Sequence, residues 1–75
     1  MMPGSEHGFL PKRWLALDGN PIGCEEKIKI LNENAIEVQE IVKDAYEDAI
    51  LMGCDAGHIK EVLKSMIDAL DKTYA

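Results

Sequence analysis

The sequence has few aromatic residues: one Trp, one Phe and two Tyr in 75 residues. A core of stacked rings is excluded. It has two cysteines, Cys24 and Cys54, too few for a disulfide framework. Along a predicted helix they stand roughly 45 Å apart at about 1.5 Å per residue, too far to bond within one chain. Free thiols fit a reducing compartment. No run of eighteen apolar residues occurs, so no membrane-spanning segment is predicted. The first eight residues are polar and broken by Pro3, Gly4 and Gly8, unlike the apolar core of a secretory signal. The expectation is a cytoplasmic protein with no membrane partner.

Positive charge is scarce as well. Eight Lys and Arg face fourteen Asp and Glu, a formal charge of −6. Residues 24–52 carry eight acids and three bases, a balance of −5. An acidic helix repels phosphate, which argues against nucleic acid as a partner. Walker loops, Gly-rich dinucleotide fingerprints, Ser/His/Asp sets and paired zinc knuckles are all missing. No enzyme activity and no cofactor are therefore expected.

What the chain does have is an apolar seam. Ile28, Leu31, Ala35, Val38, Val42, Ala45, Ala49 and Met52 fill every a and d position of four successive heptads. Helices that wind on one another in coiled coils need such a seam. Ile36, Ile41, Tyr46 and Ile50 widen it to about half the helix circumference. A first helix is expected over about residues 22–52. Asn20 caps it with Pro21 as its first residue, or Gly23 caps it. Gly53 has the left-handed freedom of a helix-ending residue, and Asp55 is a good N-cap for a second helix. That helix is expected over about 56–73, with Ile59, Val62, Leu63, Met66, Ala69, Leu70 and Thr73 as its core face.

Residues 1–21 are punctuated by Pro3, Gly4, Gly8, Pro11, Gly19 and Pro21 and read as an irregular or extended arm. The arm still holds the only Trp and the only Phe, so it is expected to lie on the helices through Trp14. Trp14–Leu17 reads as a short strand or a single helical turn. The predicted architecture is all-α: the arm, then an antiparallel two-helix hairpin over 22–75. The second helix is too short to cover Ile28 and Leu31, and a hairpin has one contact line for a wide stripe. A homodimer forming a four-helix bundle resolves both mismatches. Phe9, Trp14, Ile28, Leu31, Ile36, Tyr46 and Ile50 are the expected interface residues.

Three groups carry potential chemistry. Cys54, Asp55 and His58 have a spacing that suits two or three metal ligands, but a closed zinc site wants four. Their simpler reading is a turn residue, an N-cap and a surface histidine, so no metal is expected. Cys24 begins a helix, where the dipole activates thiols, although Glu25 and Glu26 oppose this. Glu37, Glu40, Asp44, Glu47 and Asp48 form an acidic row that reads as a solvated face or a dock for a basic partner. The leading functional expectation is a non-catalytic interaction module (adaptor, regulator or accessory subunit) with an unidentified protein partner. The alternative is a metal- or redox-responsive helical protein using Cys24, Cys54 and His58.

Overall fold

Cys24 is where the backbone turns from irregular to helical. Its carbonyl accepts the Ile28 amide at 3.0 Å, and helix α1 follows as Glu25–Leu51. The computed structural model describes residues 8–71. Among them are two α-helices, α1 and α2 (Ala56–Asp68), and no strand beyond an isolated bridge. The fold is all-helical and consistent with a helical hairpin. The chain divides into two compact units, Met1–Gln39 and Glu40–Ala75, with the boundary inside α1.

In the first unit, the segment before α1 folds back on itself. Ala16 N–H donates to the Asn20 carbonyl at 2.7 Å, and Gly19 N–H to the Ala16 carbonyl at 2.9 Å. Gly19 sits at φ +88°, so this is a three-residue hairpin loop closed by a glycine bulge. Asp18 Oδ1 accepts the Asn20 amide at 2.9 Å, and Asp18 Oδ2 accepts from Asn20 Nδ2 at 3.3 Å. Leu15 and Pro21 then pair as an antiparallel bridge. The flanking bonds are Ala16 to Asn20 and Ile22 to Trp14, the latter 2.7 Å. Leu15 and Pro21 are thus a non-hydrogen-bonded pair, where proline's missing N–H costs nothing.

This hairpin corrects the expected helix start. Asn20 and Pro21 are committed to the turn and bridge, so neither opens α1, and the N-cap place passes to Cys24 rather than Gly23. The end of α2 also differs. It stops at Asp68, not near Thr73, with Ala69 as its C-cap. Leu70 N–H bonds back three residues to the Ile67 carbonyl at 3.1 Å, tightening the last turn. Thr73 lies outside the described residues.

In the second unit, the end of α1 follows the pattern in which a glycine past the helix closes two carbonyls. Gly53, at φ +89°, donates to the Ile50 carbonyl at 3.0 Å, and Cys54 N–H donates to Ala49 at 2.8 Å. Asp55 then caps α2, its carboxylate accepting the His58 amide at 2.9 Å. Both punctuation marks agree with the sequence reading.

No described side chain is fully buried. Of the eight seam positions, seven on α1 and Met52 just past its end, six are half-buried; Val38 and Met52 are exposed. Beside Val38, Gln39 is half-buried instead. On α2, Ala56, Ile59 and Leu63 are half-buried, whereas Val62 and Met66 of the expected core face are exposed, as is Leu70 beyond the helix end.

Candidate functional site

In the first unit a polar contact anchors the hairpin to α1. The Trp14 indole donates from Nε1 to Asn32 Oδ1 at 2.7 Å in a part-buried setting. Ile28, Leu31 and Ile36 are half-buried in this unit with Trp14. The expected docking of the arm through Trp14 is therefore realised beside Leu31. Phe9 is 47% exposed. The hairpin tip presents Leu17, 102% exposed, with Leu15 61% exposed and Lys12 and Arg13 also open to solvent. Leu17 was not among the expected interface residues. It lies off the heptad seam, and only the turn geometry brings it to the tip.

In the second unit, a shallow apolar hollow lies on α1, lined by Tyr46, Glu47, Ile50 and Leu51. Two of the expected interface residues, Tyr46 and Ile50, come together here. Leu51, 86% exposed, was missed because it is off the seam. Glu47 contributes to the lining, and Asp44 is its neighbour one turn earlier on the exposed face. Lys60 of α2 sets its ammonium 5.6 Å from the centroid of the Tyr46 ring, a cation–π contact.

The titratable candidates are placed as follows. Cys54 Sγ lies 3.6 Å from the Asp55 carbonyl, and the Asp55 carboxylate is engaged with the His58 amide. Among the described residues, no three His, Cys, Asp or Glu side chains gather as a metal site. Cys54, Asp55 and His58 are thus adjacent in the turn without forming a ligand set. Cys24 and Cys54 are both free thiols. The Cys24 thiol is lowered from its ordinary value, chiefly by the Lys27 backbone amide. Desolvation opposes this, and the Glu26 amide and Lys27 charge reinforce it.

Among the described residues, no helix is long and apolar enough to cross a membrane. No protein-family model matches the chain, and neither a curated protein nor a solved structure matches it.

Proposed function

We propose that the chain is a small non-catalytic helical interaction module, an adaptor, regulator or accessory subunit, that acts as a homodimer. Two copies would complete a four-helix bundle, and an as yet unidentified protein would be the partner of that dimer. The observation that carries this reading is the lack of any fully buried side chain among the described residues, alongside large exposed apolar residues in both units. Folding is driven by taking apolar area out of water, at about 25 cal/mol per Å². A helix pair that leaves Leu51, Met66 and Leu70 open has part of that drive still to collect. Short domains commonly find the remainder in a partner chain. The two free thiols suit a reducing, cytoplasmic setting. Sedimentation equilibrium across the micromolar range tests the dimer. A mass twice the 8.3 kDa of the chain is expected, and 8.3 kDa throughout overturns it.

The second reading is a metal- or redox-responsive protein using Cys24, Cys54 and His58. The lowered Cys24 thiol at the start of α1 favours its redox half. Thiol titration and metal analysis of protein purified without chelator test it. Stoichiometric metal or a rapidly oxidised Cys24 would promote this reading over the first.

A further inference from the structure

We draw no further inference here: the strongest candidate, the row of exposed apolar side chains Val62, Met66 and Leu70 along α2 and just past its end, is an open apolar face, and nothing in the structure shows what covers it.

Discussion

Trp14 Nε1 and Asn32 Oδ1 stand 2.7 Å apart, joining two residues eighteen positions apart in the chain. The bond ties the hairpin to the helix that follows it in the chain. Asn32 lies beside Leu31, so the indole meets an acceptor at the edge of an apolar stripe. Large rings with one polar edge favour such borders.

Replacing Trp14 with Phe keeps a ring and removes the donor. The expected loss is about 0.5–1.5 kcal/mol, that of a single hydrogen bond. Urea denaturation followed by helicity measures it. Asn32→Ala should cost a similar amount and red-shift the emission of the sole tryptophan. Unchanged emission in Asn32→Ala would mean that the indole does not use this acceptor.

Gly53 adopts φ +89°, a region that costs an L side chain roughly 1–2 kcal/mol. Gly53→Ala should destabilise the protein by about that amount. Gly53→Asn should cost less, since asparagine tolerates the left-handed region. Thermal melts of the two variants make the comparison, and equal losses would point to a cause other than backbone conformation.

Asp55 accepts the His58 amide through its carboxylate. Removing this cap with Asp55→Ala should cost about 1 kcal/mol, within a range of roughly 0.5–2. Asp55→Asn retains an oxygen acceptor and should lie close to the parent. Gly57 adds a steric constraint: a Cβ there would come 3.1 Å from Asp55 Oδ2, so Gly57→Ala should disturb the same cap.

Much of this architecture is written locally. Gly53 and Asp55 announce the end of one helix and the start of the next because left-handed backbone and N-capping need only nearby groups. The seam from Ile28 to Ala49 announces α1 for the same reason: its period is a property of the helix itself. The start of α1 was misread because Asn20–Pro21 satisfies two local rules, a helix start and a turn. Backbone pairing between Trp14 and Ile22 decides between them, and no local rule contains that pairing. Val38 is exposed although Val42, Ala45 and Ala49 further along the seam are half-buried, and the heptad pattern does not distinguish them. The candidate surface was legible at Tyr46 and Ile50, which widen the stripe. Leu17 and Leu51 were not legible, because they lie outside it and only three-dimensional placement gives them a role.

The lowered Cys24 thiol has a definite pH signature. In a Cys54→Ser background, the midpoint of alkylation by iodoacetamide should fall at lower pH in the folded protein than in denaturant. An acidic group with a depressed folded value adds stability above its unfolded value and loses it as pH falls through the folded one. The start of α1 should therefore gain protection from hydrogen exchange as pH rises through the thiol titration. Coincident alkylation midpoints would show that the Lys27 and Glu26 amides do not act on the sulfur.

With no described side chain fully buried, unfolding the chain on its own should have an unusual calorimetric character. Heat capacity rises on unfolding because apolar surface meets water, normally by about 0.9–1.1 kcal/mol/K for 75 residues. An isolated chain has less such surface to uncover and should give a shallower stability curve. Its urea dependence should be correspondingly weak. The curvature of the melt thus becomes a gauge of hidden apolar area, and a full-sized heat-capacity increment would locate that area between molecules.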